Sequence, residues 1–201
     1  MIKLNIGCAS RPLKGYINID MDSIEDIKKR YPNLNIPNNI DIYNYDIFNL
    51  PYKDSSVDEV RAEALIEHLS FHEEPKFFFE IIRVLKPGGR VYLTTPDFDK
   101  IIEDWINAKD DWINFHKSDD KSINQKYWFG NKSYTRANKW GYLTACIFGS
   151  QYGEGQYHKN CYTKNKLISI AAKINLDVVE INSKKWKDDR ESIIEFIGKK
   201  K

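Results

Sequence analysis

The sequence predicts an α/β fold with a doubly wound, mostly parallel sheet, an antiparallel C-terminal strand and helices on both faces. Strand-like and helix-like segments alternate along the chain, which is typical of such sheets. No internal repeat or low-complexity linker divides the 201 residues, a length that suits one domain. The hydrophobic fraction of 41% beside 30% charged residues is ordinary for a globular chain.

The N-terminal part contains four strand candidates. Ile2 to Ile6 is a short apolar strand that stops at Gly7, and Tyr16 to Asp20 ends on a carboxylate. The connection between these two strands has only about nine residues, which is too short for a crossover helix. A third strand is predicted from Asn39 to Ile47 and a fourth from Val57 to Arg61, separated by turn-forming residues.

Helices are predicted in the middle of the chain. Ala62 to Leu69 reads as a short helix, and a clearer one begins at Glu73 with apolar residues at helical spacing. This second helix should end at the breaker Lys86-Pro87-Gly88-Gly89. A strand from Arg90 to Thr95 follows, and then a helix from Asp99 to about Asn114.

The C-terminal part adds two helices and two strands. A helix is predicted near Thr135 to Phe148, in an otherwise irregular stretch. Thr163 is a suitable N-cap for a helix through Ile174. Leu176 to Ile181 and Ser192 to Gly198 are the last two predicted strands.

Residues with binding chemistry stand at three successive strand ends. In open parallel sheets a ligand lies beyond the carboxyl ends of the strands, near the point where the strand order reverses. Gly7, followed by the small Ala9, lets the backbone approach a ligand closely. Asp20 can accept both hydroxyls of a ribose, and Asp46 can accept an adenine amine while Ile47 packs on the ring. A lone glycine often only forms a turn, and a lone aspartate often only caps a helix. The prediction of a ligand site therefore depends on Gly7, Asp20 and Asp46 occurring together.

Six sequence runs resemble a known family: Leu4-Asn5-Ile6-Gly7-Cys8, Gly15-Tyr16-Ile17-Asn18-Ile19-Asp20, Leu50-Pro51-Tyr52-Lys53-Asp54-Ser55-Ser56-Val57-Asp58-Glu59-Val60, Leu65-Ile66-Glu67-His68-Leu69, Arg83-Val84-Leu85-Lys86-Pro87-Gly88-Gly89-Arg90 and Thr95-Pro96-Asp97. With these runs the chain resembles a small class I S-adenosylmethionine-dependent methyltransferase of the type called methyltransferase type 11. The resemblance is dense over residues 2 to 98 and rests on sheet order alone thereafter. It implies a Rossmann-like sheet, methyltransferase activity and S-adenosylmethionine as the cofactor.

The resemblance also implies roles for single residues. Gly7 would lie against the methionine part of the cofactor, and Asp20 would hold the ribose. Asp46 and Ile47 would frame the adenine.

Glu63, directly after the fourth predicted strand, would border the methyl-donor pocket, with His68 nearby. Ala9 stands where the family usually has a second glycine and narrows the room beside the cofactor carboxylate. The loop before Asp20 is short, and Arg11 can then pair with that carboxylate.

We predict no metal site from the sequence. His68 and His72 have the i, i+4 spacing of paired ligands, but Ser70 and the helix restart at Pro75 interrupt that stretch, and no third ligand is obvious. The run Arg61-Ala62-Glu63-Ala64 replaces the Asn/Asp-Pro-Pro-aromatic motif of enzymes that methylate amino groups of nucleic acids. None of the three cysteines follows a proline, as the nucleophile of cytosine-C5 enzymes does.

The methyl acceptor is expected to bind against an aromatic-rich insertion at about residues 97–162 of the single domain. Its Tyr152 to His158 run suits a mobile rim that stacks on a flat or sugar-like acceptor. His158 is the first candidate for general base, because the unperturbed pKa of histidine is about 6.5. Asp97, at the end of the fifth long strand candidate, is the second. A core role for the aromatic residues and a hydrogen-bonding role for His158 stay open.

The predicted function is methyl transfer to a small hydroxyl- or amine-bearing acceptor, such as a sugar or a glycan intermediate. Two alternatives are a protein or lipid-linked acceptor, supported only by the basic tail, and a non-catalytic module that binds S-adenosylmethionine. A net charge of +2 speaks against a nucleic-acid partner. The lack of a long apolar stretch speaks against a membrane span, and the sparse cysteines favour a cytoplasmic location. The sequence indicates neither the acceptor nor the oligomeric state.

Overall fold

The computed structural model describes residues 1–33, 40–111, 138–151, 153–185 and 192–201, without the side chains of Tyr142 and Glu154. Within these ranges the strands are β1 (Lys3–Ile6), β2 (Ile17–Ile19), β3 (Ile42–Tyr43), β4 (Val57–Glu63), β5 (Leu85–Pro96), β6 (Leu176–Lys185) and β7 (Ser192–Lys200). They form one sheet in the order β3-β2-β1-β4-β5-β7-β6. Strands β1 to β5 run parallel to one another, whereas β7 is antiparallel to both β5 and β6. The predicted fold class is confirmed.

The helices in the described ranges are α1 (Ile24–Arg30), α2 (Glu73–Val84), α3 (Phe98–Asn107), α4 (Thr144–Phe148) and α5 (Lys164–Lys173). Three short helical turns accompany them: Ile66–His68, Lys139–Leu143 and Glu154–Gln156. The N-cap prediction for α5 is confirmed, because the Thr163 hydroxyl accepts the Lys166 N–H at 3.1 Å. In the described part of the chain, no helix is both long and apolar enough to cross a bilayer.

The core lies along the central strands, where Leu4, Ile19 and Val60 are fully buried. The short β1–β2 connection contains no helix and is held instead by hydrogen bonds of two buried polar side chains, Asn5 and Asn18. The Asn5 Nδ2 donates to Asn18 Oδ1 at 2.9 Å and to the Arg11 carbonyl at 3.0 Å. The loop is therefore tied to the strands it joins, which brings its first residues to the edge of the sheet.

Two elements near the site differ from the sequence prediction. Helix α1 was not predicted, because Ile27 is its single buried residue and gives no apolar periodicity. The helix predicted from Ala62 to Leu69 is wrong, since β4 continues to Glu63 and only Ile66–His68 is helical. The left-handed backbone of Ala64, with φ +51°, separates the strand from this turn.

The Lys86–Gly89 breaker ends α2 at Val84 but lies inside β5, so the later strand start predicted at Arg90 is wrong. Val57 pairs with Leu85 and Glu59 pairs with Arg90. The β5 side thus accommodates several extra residues as a bulge, and Gly88 adopts φ +78° there.

The other element ends also shift. β3 has only two residues, far fewer than predicted, while β6 and β7 extend past their predicted ends. Helix α3 ends at Asn107, before the predicted Asn114; Asn114 and Trp112 lie outside the described residues. Residues 112–137 of the predicted insertion at about 97–162 fall in the undescribed range, so the predicted architecture of this insertion is untested.

Candidate functional site

A cavity of about 440 Å³ lies at the carboxyl ends of the parallel strands. It is lined by residues that follow β1, β2, β3 and β4, among them Gly7, Asp20, Asp46 and Leu65. The sheet order reverses direction between β1 and β4, so the cavity occupies the place where open α/β sheets bind ligands. Its volume is within the range of small-molecule sites.

The first loop of the cavity depends on left-handed backbone conformations. Gly7 has φ +67°, and a Cβ added there would lie 2.8 Å from Leu65 Cδ1, so a side chain would strain the backbone and force Leu65 to shift. Ala9 has φ +40° despite its methyl group. The Ala9 N–H donates to Asp20 Oδ2 at 2.7 Å, which fixes this strained turn against the end of β2.

Asp20 is held with its carboxylate partly satisfied by the main chain. Its side chain is buried, and Oδ1 accepts the Asp22 N–H at 3.0 Å while Oδ2 accepts the Ala9 N–H. Burial raises the pKa of Asp20 above its usual range, although both N–H donors favour the ionised form. Each oxygen has lone pairs left for a second donor. The two carboxylate oxygens can therefore accept two neighbouring hydroxyls, such as those of a ribose.

The opposite end of the cavity is apolar and aromatic. Ile47, Tyr45 and Phe48 line it together with the exposed Asp46. The Asp46 Oδ1 accepts the Phe48 N–H at 2.9 Å, so this aspartate also shapes its own turn. A flat, polar-edged ring is the ligand that such a wall accommodates.

Two of the predicted cofactor residues pair with each other. Arg11 Nη1 lies 3.5 Å from Glu63 Oε2, and Arg61 Nη2 lies 2.5 Å from Glu63 Oε1. Neither Arg11 nor Glu63 lines the cavity; the residues that follow Glu63, Ala64 and Leu65, line it instead. The guanidinium of Arg11 thus has a carboxylate partner within the protein.

His68 lines the cavity and His158 stands behind it. Their ring centroids are 4.9 Å apart with the planes at 68°. His68 Nδ1 lies 2.9 Å from the Tyr157 carbonyl, and His158 Nδ1 lies 3.0 Å from the Cys146 carbonyl. Burial and the neighbouring His68 lower the pKa of His158 to about 4, and burial lowers the pKa of His68. Both rings are therefore neutral at neutral pH.

Asp97 lies away from the cavity, in the packed interior. It is 1% exposed, caps α3 by accepting the Lys100 N–H at 3.4 Å, and accepts the Ser183 hydroxyl. These two contacts account for the position of Asp97 after β5 without any contact to a methyl acceptor.

A segment remote in sequence covers the cavity. Gly155, Gln156 and Lys159 line it, and a Cβ at Gly155 would lie 3.3 Å from Met21 Sδ across the opening. Gly155 and Gln156 belong to the run Tyr152 to His158, whose role as an acceptor rim stays a prediction; Tyr152 lies outside the described residues. Met21 and Lys159 were not predicted, because their position depends on tertiary packing and no local pattern marks it.

Residues 7–93 match the methyltransferase domain family. A protein from Mycolicibacterium smegmatis described as a probable S-adenosylmethionine-dependent methyltransferase is 35% identical over 83 residues, which are 40% of this chain and 29% of that protein. A 37.1 kDa protein from a Streptomyces fradiae transposon is 29% identical over 89 residues, which are 44% of this chain and 24% of that protein. The matches thus span less than a third of either curated relative.

Solved structures share the fold over nearly the whole chain. A methyltransferase from Methanosarcina mazei superposes with a TM-score of 0.59 at 18% identity, covering 98% of this chain and 91% of that one. The 1,6-didemethyltoxoflavin-N1-methyltransferase of Burkholderia thailandensis, solved with S-adenosylhomocysteine, gives 0.57 at 9% identity, covering 99% and 70%. At such identities the likeness shows the fold alone. The family model matches less than half of the chain; together with the shared fold, it makes the chain similar to the class I S-adenosylmethionine-dependent methyltransferases.

Proposed function

We propose that this chain transfers the methyl group of S-adenosylmethionine to a small hydroxyl- or amine-bearing acceptor, such as a sugar or a glycan intermediate. The observation that carries the proposal is the cavity at the strand-order reversal, with Asp20 at its floor and His68 in its wall. A module that binds S-adenosylmethionine without catalysis would need the cavity and Asp20 but not His68. The histidine wall favours an enzyme.

The residues that hold the cofactor are assigned from their places around the cavity. Asp20 would accept the two ribose hydroxyls on the lone pairs that Ala9 and Asp22 leave open. Asp46 and Ile47 would frame the adenine at the apolar end. Gly7 would lie against the methionine part, where its missing side chain keeps the strand end accessible.

Arg11 and Glu63 would act indirectly. Because their side chains pair with each other, they would hold the first loop to the end of β4 and leave ligand contacts to their neighbours. This differs from the direct cofactor contacts that the family resemblance implies for them.

The sulfonium of the cofactor supplies a methyl group already activated for in-line displacement. The protein then has to align the acceptor, exclude water and, for a hydroxyl acceptor, receive a proton. The covering residues Gly155, Gln156 and Lys159 would provide alignment and cover. His68 would receive the proton at the cavity wall, with His158 supporting it through the ring contact. Asp97 would serve α3 rather than the acceptor.

Calorimetric titration with S-adenosylmethionine, followed by measurement of S-adenosylhomocysteine released with a panel of hydroxyl and amine acceptors, tests the proposal. We expect one-to-one binding and acceptor-dependent release. Binding without release for any acceptor would favour the non-catalytic module, and the absence of binding would contradict both readings. A His158→Ala variant that retains wild-type turnover across the pH range would exclude His158 from proton transfer.

A further inference from the structure

Three side chains that can bind a metal ion lie together between the cofactor cavity and the interior. One ligand atom each from Glu67, His68 and His158 lies within 4.8 Å of the other two. Ligand atoms around a zinc ion stand at about 2.0–2.2 Å from the metal, and therefore roughly 3.5 Å from one another. Shifts of about 1 Å would close the three groups onto an ion.

The hydrogen bonds of the two rings leave Nε2 of each ring as the nitrogen that can bind a metal. His68 Nδ1 faces the Tyr157 carbonyl at 2.9 Å, and His158 Nδ1 faces the Cys146 carbonyl at 3.0 Å. A carbonyl only accepts, so each Nδ1 carries the proton and each Nε2 carries the lone pair. A carbonyl on the second nitrogen is the usual partner of a metal-bound histidine, because it fixes the tautomer and the ring orientation.

The main chain fixes the relative positions of the three groups. The Glu67 carbonyl accepts the N–H groups of Lys159 at 2.8 Å and of Asn160 at 3.0 Å, which ties the residue after His158 to Glu67. Glu67 and His68 are neighbours in the helical turn, where the His68 N–H donates to the Leu65 carbonyl at 2.9 Å. The cluster therefore joins two remote segments without depending on flexible side chains alone.

Burial and charge at the cluster also favour a cation. Glu67 is 2% exposed, and a buried carboxylate is stabilised by a positive partner. Glu67 and His158 also line a small cavity of about 10 Å³, close to the space that a single water molecule requires.

We propose that Glu67, His68 and His158 bind one divalent transition-metal ion, for which Zn²⁺ suits the donor set. Two imidazoles and one carboxylate are the ligands of one class of catalytic zinc site, which keeps a fourth position open. The sequence prediction of no metal site considered His68 with His72. The structure separates those two, because His72 is exposed and lies outside the Ile66–His68 turn.

A metal at this place would change how the acceptor proton is handled. A nitrogen that binds the metal has no lone pair for a proton, so the ion would take over from the histidine pair and polarise an acceptor oxygen. This use of the ion rests on the proposed function. Metal binding itself does not, and it is tested without cofactor or acceptor.

The test is calorimetric titration of the chelator-treated 201-residue protein with ZnCl₂, together with the visible absorption spectrum after titration with Co²⁺. We expect one equivalent of Zn²⁺ to bind and the dissociation constant to rise at least about tenfold in Glu67→Gln and in His158→Gln. His72→Gln and Cys161→Ser are the matched controls and should bind as the wild type does. Cys161 is the appropriate thiol control because it lines the small cavity beside His158.

Absence of stoichiometric Zn²⁺ binding by the wild type would overturn the proposal. Unchanged affinity in both site variants, or loss of binding in Cys161→Ser, would overturn it as well. Circular dichroism reports whether the site variants fold. If either does not, the Co²⁺ spectrum of the wild type decides: weak visible bands of nitrogen and oxygen ligands support the site, and strong near-ultraviolet thiolate bands contradict it. Binding of S-adenosylmethionine, measured separately, distinguishes failure of this proposal from failure of the proposed function.

Discussion

Replacing Asp20 by asparagine should weaken cofactor binding more than any other single change at the floor of the cavity. In the wild type, Oδ1 and Oδ2 each accept one main-chain N–H, from Asp22 at 3.0 Å and from Ala9 at 2.7 Å. Each oxygen can accept one ribose hydroxyl in addition. Asparagine keeps one of the two side-chain oxygens. Its NH₂ group replaces the other oxygen and, as a donor, faces a main-chain N–H that is also a donor.

The size of the effect follows from the bonds lost. A hydrogen bond to a charged group contributes about 1.5–3 kcal/mol, and Asp20→Asn removes one such bond and weakens the other. We expect a loss of about 3 kcal/mol, which is roughly a hundredfold increase in the dissociation constant. The free energy of unfolding should fall as well, because the asparagine side chain can accept only one of the two main-chain N–H groups that Asp20 accepts.

Isothermal titration calorimetry with S-adenosylhomocysteine measures the change. Asp177→Asn is the matched control, because Asp177 lies on β6 with a side chain that is 61% exposed and paired to Lys201. This control should bind as the wild type does. An Asp20→Asn protein that folds, as judged by circular dichroism, and still binds within about threefold of the wild type would refute the assignment of Asp20 to the ribose.

Three further predictions concern stability and pH. Gly7→Ala should lower the free energy of unfolding, measured in urea, by about 1–2 kcal/mol. The loss should exceed that of Gly15→Ala, because both glycines have positive φ but only a Cβ at Gly7 would contact Leu65. Equal losses in the two variants would contradict this contact. Cofactor affinity should be constant above the raised pKa of Asp20 and fall as the pH drops through that pKa, because ribose hydroxyls bind the ionised carboxylate better. A calorimetric pH series without this fall would count against the prediction, as would a fall that persists in Asp20→Asn. Tyr162→Phe should cost about 1–3 kcal/mol of stability in urea denaturation, because the hydroxyl donates to Glu74 at 2.6 Å; unchanged stability would contradict it.

The floor of the site could be predicted from the sequence, because local signals mark it. Gly7, Asp20 and Asp46 each follow a strand with an apolar pattern, and parallel strands bring their carboxyl ends to one edge. The structure places all three around one cavity. Their roles toward the cofactor remain predictions that the experiments above test.

The wall and cover of the site could not be predicted from local patterns. His158 meets His68 through ring contact and main-chain bonds that join segments ninety residues apart, and no periodicity encodes such a contact. Asp97 looked like a site residue because it ends a strand, yet its carboxylate caps α3 and accepts the Ser183 hydroxyl. Strand-end position alone does not distinguish a cap from a ligand-binding group.

Some differences in the fold have the same origin. The predicted helix after β4 became strand and a single turn, because pairing of Ala62 and Glu63 with β5 outweighs their local helical preference. Helix α1 has an effective N-cap in Ser23, which accepts the Asp26 N–H at 3.1 Å, but too few apolar residues to reveal it. The single-domain boundary and the 97–162 insertion stay predictions.

A crystal structure of the protein with S-adenosylhomocysteine would test the central claim most directly. The account predicts the product in the 440 Å³ cavity, with its ribose hydroxyls on the Asp20 carboxylate, its adenine beside Ile47 and its sulfur toward His68. Electron density for the product at another place, or an empty cavity at a saturating concentration, would contradict it.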